Sequence, residues 1–121
     1  MNKVLIVDDN ESIVKVLRFL LERQGYQVDA RDDESVYHLA ETWQPSVILM
    51  DVRLPKLDGI EACQRLKNNP VTMGIPIILL TADAHAIETS HSGVADDLLI
   101  KPFHNADLLE KVRRHAQGEE A

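Results

Sequence analysis

The sequence repeats one arrangement five times: a short apolar run followed by a segment whose apolar residues have helical spacing. The runs are Val4–Val7, Gln27–Ala30, Val47–Met50, Ile77–Leu80 and Leu98–Ile100. Four of them lack polar alternation, which is typical of strands covered on both faces, whereas Gln27–Ala30 alternates and is predicted to be an edge strand. Strands alternating with helices predict right-handed crossovers and a parallel sheet between two helical layers. The predicted fold is a three-layer, doubly wound (βα)5 domain of the α/β class.

Four of the five helical segments have clear apolar stripes and recognisable end signals. In chain order, the predicted signals are the cap Asn10 and the stop Gly25, then Pro45 closing the second helix, a capping box of Asp58 with Glu61, and Asn105 as the last cap. The remaining segment, between Thr81 and Val94, is rich in poor helix formers, which predicts a short, mobile helix.

Length and composition limit the possible functions. A chain of 121 residues makes one compact domain that needs no metal or disulfide to fold. Its lone cysteine, Cys63, excludes an internal disulfide and is predicted to be an inert core thiol. The net charge of −7 disfavours a nucleic-acid surface. With no membrane-length apolar run and no signal-sequence pattern, we expect a cytoplasmic domain over residues 1–117, followed by a frayed tail at 118–121.

Polar residues follow four of the predicted strands at the point where each strand ends. Asp8 and Asp9 follow the first run, Asp51 the third, Thr81 the fourth and Lys101 the fifth. In an open α/β sheet, ligands bind beyond the carboxyl ends of the strands. Any one of these residues could be a solvated loop residue, but that explanation is poor for all of them together.

Three neighbouring carboxylates need positive charge. Two carboxylates about 4 Å apart repel by roughly 4 kcal/mol at an effective dielectric constant near 20. Lys101 supplies one cation, and an open all-oxygen site favours Mg²⁺ as the second, whereas no thiolate or paired-histidine pattern points to zinc. Such a site is suited to holding a phosphoryl group. Asp51 is the best candidate nucleophile, because it ends a central strand, and Asp8 and Asp9 are better placed for the metal.

The motifs that carry these residues occur together and in order along essentially the whole chain. They are Val7-Asp8-Asp9, Asp51-Val52-Arg53-Leu54-Pro55 with Asp58-Gly59 behind it, Thr81-Ala82, and Lys101-Pro102-Phe103. In this combination the chain resembles the receiver domain of two-component response regulators. The resemblance implies a flavodoxin-like sheet with strand order 2-1-3-4-5.

The resemblance also implies a role for each residue of the metal site. Asp9 binds Mg²⁺ directly and Asp8 largely through water, while Asp51 and the backbone carbonyl of Arg53 complete the ligands.

The remaining implied roles concern the phosphoryl group. Asp51 accepts it from a phosphohistidine on a sensor histidine kinase or a histidine phosphotransfer protein, while Thr81 and Lys101 bind phosphoryl oxygens. The Lys101-Pro102 bond is expected to be cis.

The chain departs from the receiver pattern after Thr81. Leu98 stands where receivers commonly have Tyr or Phe, and Val94 where a glycine is usual. We therefore expect phosphorylation to change the order of residues 82–95 more than the side chain at position 98. We also hypothesise that Arg53 and Asp83 form an ion pair that obstructs attacking water; the alternative is two solvated charges of little effect.

Two other functions stay open at this point. One is a receiver-like docking module that never carries phosphate. The other is a phosphohydrolase with an aspartyl nucleophile, although such enzymes usually have a second aspartate where this chain has Arg53. In the preferred interpretation, the chain catalyses only its own phosphorylation and dephosphorylation and is a monomer or weak dimer. Its downstream protein target is not identified, and we expect no contact with nucleic acid or membrane.

Overall fold

A five-stranded parallel sheet forms the centre of the molecule. The computed structural model describes residues 2–82 and 95–117. Its strands are β1 (Lys3–Val7), β2 (Gln27–Arg31), β3 (Val47–Asp51), β4 (Ile77–Thr81) and β5 (Asp97–Ile100). Their order is β2-β1-β3-β4-β5, and every neighbouring pair is parallel. This confirms the predicted α/β fold and the strand order that the resemblance implied.

Helices cover both faces of the sheet. The described residues contain α1 (Glu11–Arg23), α2 (Ser35–Trp43), α3 (Gly59–Lys67) and α4 (Asn105–Ala116). One buried cluster joins α2 and α3 to one sheet face, and a second joins α1 and α4 to the other. The helix predicted between Thr81 and Val94 falls on residues 83–94, which lie outside the described residues. None of the described helices has the length and apolar character to span a bilayer.

Cys63 lies in the cluster beneath α3 and is buried. Burial raises the pKa of its thiol to about 11, so the reactive thiolate is scarce at neutral pH. This agrees with the predicted inert core thiol.

The two edge strands differ from the prediction in one respect. The alternating strand β2 lies at one edge, as predicted. The fifth strand, β5, forms the other edge, as the implied strand order requires, and its predicted coverage on both faces fails at Ile100, which is 48% exposed. The apolar composition has a physical cause, because Leu98 packs against the cluster on one face and Leu99 against the cluster on the other.

Two helix starts follow the predicted capping chemistry. The Asn10 side chain accepts hydrogen bonds from the backbone N–H groups of Ser12 and Ile13, and Asp58 caps α3 in the same way. The prediction for the last helix is wrong. Asn105 is already helical, and His104 occupies the cap position with extended backbone (φ −79°, ψ 141°) and no side-chain capping bond.

Other helix ends follow simple backbone rules. Gly25 has a φ of +95°, a left-handed conformation that favours glycine in the turn after α1. The last helical residue of α2 is Trp43, two positions before Pro45.

Polar contacts hold the amino-terminal ends of β4 and β5. The Asp96 carboxylate accepts hydrogen bonds from the Ile77 N–H at 2.8 Å and pairs with the Lys67 ammonium at 2.6 Å. The neighbouring Asp97 bonds Lys111 at 2.7 Å and His115 at 2.9 Å, both on α4. This end of the sheet is therefore tied to α3 and α4 by charged groups.

Candidate functional site

The strand register brings the predicted site residues to one edge of the sheet. Val7 pairs with Met50, so Asp8 and Asp51 are the next residues along adjacent strands. Thr81, buried at the end of β4, pairs with Ile100. The next residue, Lys101, donates its backbone N–H to the Thr81 carbonyl at 2.7 Å. All four strand ends therefore meet, although the residues are far apart in sequence.

The three aspartates form one compact cluster. One carboxylate oxygen from each of Asp8, Asp9 and Asp51 lies within 4.8 Å of the others. Asp8 is buried, Asp51 is partly buried and Asp9 is exposed, so the cluster opens to solvent on one side. This grouping was predicted from the strand ends alone.

Asp8 has one satisfied and one unsatisfied oxygen. Its Oδ1 accepts a hydrogen bond from the Asn10 N–H at 2.9 Å, which fixes the carboxylate at the start of α1. Its Oδ2 is buried and makes no hydrogen bond within the described part of the chain. A buried anionic oxygen without a donor is costly unless a cation meets it. The all-oxygen donor set and the opening to solvent both fit Mg²⁺.

Lys101 supplies a positive charge beside this cluster. Its ammonium lies 3.6 Å from Asp8 Oδ2 and 3.6 Å from Asp51 Oδ1, so it is shared between two carboxylates. Burial raises the pKa of Asp51, and the charge of Asp8 raises it further. Lys101 and the N–H groups of Arg53 and Val52 oppose these effects without cancelling them. The cluster is thus short of positive charge, as a cation site would be.

Two further features complete the geometry of the site. Arg53 lies in the exposed loop after β3 and pairs with Asp58 through an isolated antiparallel bridge. The Lys101-Pro102 peptide bond is cis, as the resemblance implied.

Comparison with known proteins now identifies the family. The family model of the response regulator receiver domain matches residues 4–113. The chain belongs to this family. Receiver domains are signalling domains rather than classical enzymes.

Curated relatives of this receiver domain are transcriptional regulators. The chain is 43% identical over 115 residues to the alkaline phosphatase synthesis transcriptional regulatory protein PhoP of Bacillus subtilis, covering 92% of this chain and 47% of that protein. It is 40% identical over 117 residues to the transcriptional regulator RpaA of a Synechocystis strain, covering 93% and 48%. The chain therefore spans about half the length of the curated relatives it matches.

Solved structures of receiver domains have the same fold. The receiver domain of a Pseudomonas aeruginosa sensor histidine kinase, with a magnesium ion coordinated in its active-site cleft, has a TM-score of 0.88 and 32% identity, covering 97% of this chain and 98% of that one. A chemotaxis response regulator of Vibrio cholerae has a TM-score of 0.84 and 31% identity, covering 95% and 98%.

The departures from the receiver pattern are placed only in part. Leu98 is partly buried and packs against the cluster beneath α2 and α3. Val94 and Asp83 lie outside the described residues. The Arg53–Asp83 ion pair and the change of order over residues 82–95 therefore stay predictions.

Sequence reasoning missed the supporting role of two residues. Asn10 was predicted as a helix cap, but its N–H also holds Asp8. Gly59 was noted only as part of a motif, although it lies directly against the backbone of Asp51. A glycine at the first position of a helix could have revealed this contact. The helical backbone there does not need the conformational freedom of glycine, so a glycine at that position indicates that there is no space for a side chain.

Proposed function

We propose that this receiver domain accepts a phosphoryl group on Asp51 from a phosphohistidine of a sensor histidine kinase or histidine phosphotransfer protein. The observation that carries the proposal is the position of Asp51 Oδ1, at the end of β3, 3.6 Å from the Lys101 ammonium and clustered with Asp8 and Asp9. A carboxylate in this position is a nucleophile with cationic stabilisation beside it.

In this proposal Asp8, Asp9 and Asp51 hold Mg²⁺ together with the backbone carbonyl of Arg53. The unsatisfied Oδ2 of Asp8 and the raised pKa of Asp51 support a bound cation. When bound, the metal supplies charge neutralisation and orientation for the phosphoryl oxygens.

The transfer itself uses this chain's own groups. A carboxylate oxygen of Asp51 attacks phosphorus in line with the phosphorus–nitrogen bond of the donor, which breaks and releases the imidazole. The bond formed is an acyl phosphate. Lys101 pairs with one phosphoryl oxygen and the Thr81 hydroxyl donates to another, so both stabilise charge on the transferred group. Slow hydrolysis of the acyl phosphate returns Asp51 to its free state.

The wider context is part of the proposal. We propose that residues 1–117 make up the receiver, that residues 118–121 form a tail, and that the domain acts in the cytoplasm as a monomer or weak dimer. Phosphorylation alters binding to a downstream protein partner. The net charge of −7 supports indirect rather than direct action on nucleic acid.

Acetyl phosphate and Mg²⁺, followed by intact mass measurement, test the proposal. We expect a gain of about 80 Da on the wild-type chain. The gain is expected to disappear in Asp51→Asn and to persist in the control variant Asp32→Asn. Asp32 also lies near this edge of the sheet, where its carboxylate pairs with Lys56 at 4.0 Å. No gain on the wild type would favour the docking module, and sustained turnover of phosphate esters would favour the phosphohydrolase.

A further inference from the structure

Gly59 occupies a place where no side chain fits. It is the first residue of α3, and its α-carbon faces the carboxyl end of β3. A β-carbon added there would overlap the carbonyl oxygen of Asp51 and lie 2.8 Å from the α-carbon and 2.9 Å from the carbonyl oxygen of Val52. These neighbours are backbone atoms and cannot rotate away. Space, rather than conformational freedom, therefore requires glycine here.

The contact between Gly59 and the end of β3 also closes the base of the loop between β3 and α3. The Gly59 N–H donates to the Val52 carbonyl at 3.0 Å, and Arg53 pairs with Asp58 across the loop. The Asp58 carboxylate accepts hydrogen bonds from the N–H groups of Ile60 at 2.9 Å and Glu61 at 3.1 Å. Asp58 thus fixes the start of α3 at the point where Gly59 meets the strand.

The closed loop bears directly on the Asp51 side chain. The carboxylate of Asp51 accepts a backbone hydrogen bond from the N–H of Arg53, while the N–H of Val52 donates to the Leu80 carbonyl on β4 at 3.2 Å. A displacement of α3 away from β3 would move both donors. The orientation of the carboxylate therefore depends on how closely α3 approaches the strand.

We propose that Gly59 and Asp58 are positioning residues for Asp51. Gly59 lets the start of α3 contact the Asp51 backbone, and Asp58 holds the helix there, so that the backbone of Val52 stays on β4 and the N–H of Arg53 aims the carboxylate. The consequence for phosphorylation rests on the proposed function above. The consequence for the geometry of residues 51–53 does not depend on the proposed function.

The first test compares two glycine substitutions. Gly59→Ala introduces the overlap, whereas Gly74→Ala is a matched control, because no atom lies within 4 Å of a β-carbon added there. Both are treated with acetyl phosphate over a range of Mg²⁺ concentrations, at temperatures where urea titrations show that they are folded. We expect Gly59→Ala to lower the maximal rate by about 10- to 100-fold, since a misplacement near 1 Å has effects of that order. Gly74→Ala is expected to match the wild type.

The second test uses Asp58 and does not require Gly59→Ala to fold. Asp58→Ala removes the capping acceptor, and Asp58→Asn retains one. We expect the maximal rate to fall in the alanine variant and to be rescued in the asparagine variant, whereas a merely structural role would lower the free energy of unfolding without changing the rate of the folded protein. Equal rates in the wild type, Gly59→Ala and Asp58→Ala would overturn the proposal.

A metal-free measurement separates this proposal from the proposed function. The amide NMR signals of Val52 and Arg53 are expected to shift in Gly59→Ala or Asp58→Ala without Mg²⁺ or phosphodonor, and to stay in place in Gly74→Ala. If the wild type takes up no phosphate but these signals shift, the proposed function fails and the positioning stands. If the wild type is phosphorylated and the signals do not move, the positioning proposal fails.

Discussion

The ammonium of Lys101 lies 3.6 Å from Oδ1 of Asp51, within ion-pair distance but beyond a hydrogen bond. The same nitrogen is equally far from Asp8 Oδ2, so one cation serves two carboxylates. Neither carboxylate is within hydrogen-bond distance of the Lys101 ammonium. A lysine in this position is available to an incoming anionic oxygen without first breaking a strong bond.

Replacing Lys101 tests this arrangement. We expect Lys101→Ala to slow phosphorylation by acetyl phosphate by about 100-fold, the effect of removing one preorganised electrostatic group. The rate is followed by intact mass. Lys111→Ala makes the same change in net charge at the opposite end of β5, where Lys111 bonds Asp97, and is expected to react at the wild-type rate. Equal slowing in both variants would mean that overall charge, not Lys101, controls the reaction.

Asp8→Asn is expected to change metal binding and stability in opposite directions. The substitution removes a buried negative charge, together with its repulsion of Asp51 and Asp9 and its attraction to Lys101. The asparagine oxygen can keep the hydrogen bond from the Asn10 N–H. Because burial and the two repulsions then oppose only the attraction to Lys101, we expect the free energy of unfolding without metal to rise by about 1–2 kcal/mol. Mg²⁺ affinity, measured by calorimetry, is expected to fall. A loss of stability in the metal-free protein would contradict this reasoning.

The Asp97 contacts predict a pH dependence of stability. Burial raises the pKa of the Asp97 carboxyl, but hydrogen bonds with Lys111 and His115 outweigh it, so the pKa lies below its ordinary value. A lowered carboxyl pKa stabilises the folded state above the unfolded pKa, and this contribution is lost as pH falls through the folded pKa. We therefore expect Asp97→Asn to lower the free energy of unfolding by about 1 kcal/mol at neutral pH, allowing for partial solvent screening.

Urea titrations at neutral pH and at about pH 3 check this. The difference between the wild type and Asp97→Asn should shrink on acidification. If the variant lost the same stability at both pH values, the effect would come from packing and not from the charge.

The start of α4 offers a stabilising substitution. His104 has the extended backbone of a helix cap, but its side chain makes no capping bond. We expect His104→Ser to raise the free energy of unfolding by about 1 kcal/mol, the usual value of a capping hydroxyl. Asn105→Ser is the control and should bring no comparable gain, because residue 105 is already inside the helix. Thermal or urea unfolding of the two variants distinguishes them.

Much of the site could be predicted because strand ends in a parallel sheet share an edge. Once Asp8, Asp51, Thr81 and Lys101 were placed at the ends of strands, their proximity followed from topology and did not require side-chain detail. Even the cap residues Asn10 and Asp58 were identified correctly, since their chemistry is local to three or four residues.

What could not be predicted depends on contacts between elements. The apolar run of β5 gives no sign that Ile100 is exposed, because Leu98 and Leu99 pack on opposite faces and only the packing around this edge strand leaves Ile100 open to solvent. The cap at His104 was missed because its backbone conformation, not its side chain, sets the start of α4. The unsatisfied oxygen of Asp8 and the contact between Gly59 and Asp51 exist only after α1 and α3 have packed.

Because all the strands are parallel, the two rims of the sheet differ in how well they tolerate inserted residues. Each residue of the site lies at the last position of a strand or within two positions after it, while the turns at 24–26, 44–46 and 68–76 enter the strands from the other rim. Extra residues in those turns do not change the spacing of the cluster, but one residue inserted within β3 would move every later residue of that strand to the opposite face of the sheet. Tags, labels and inserted peptides therefore belong at the distal turns.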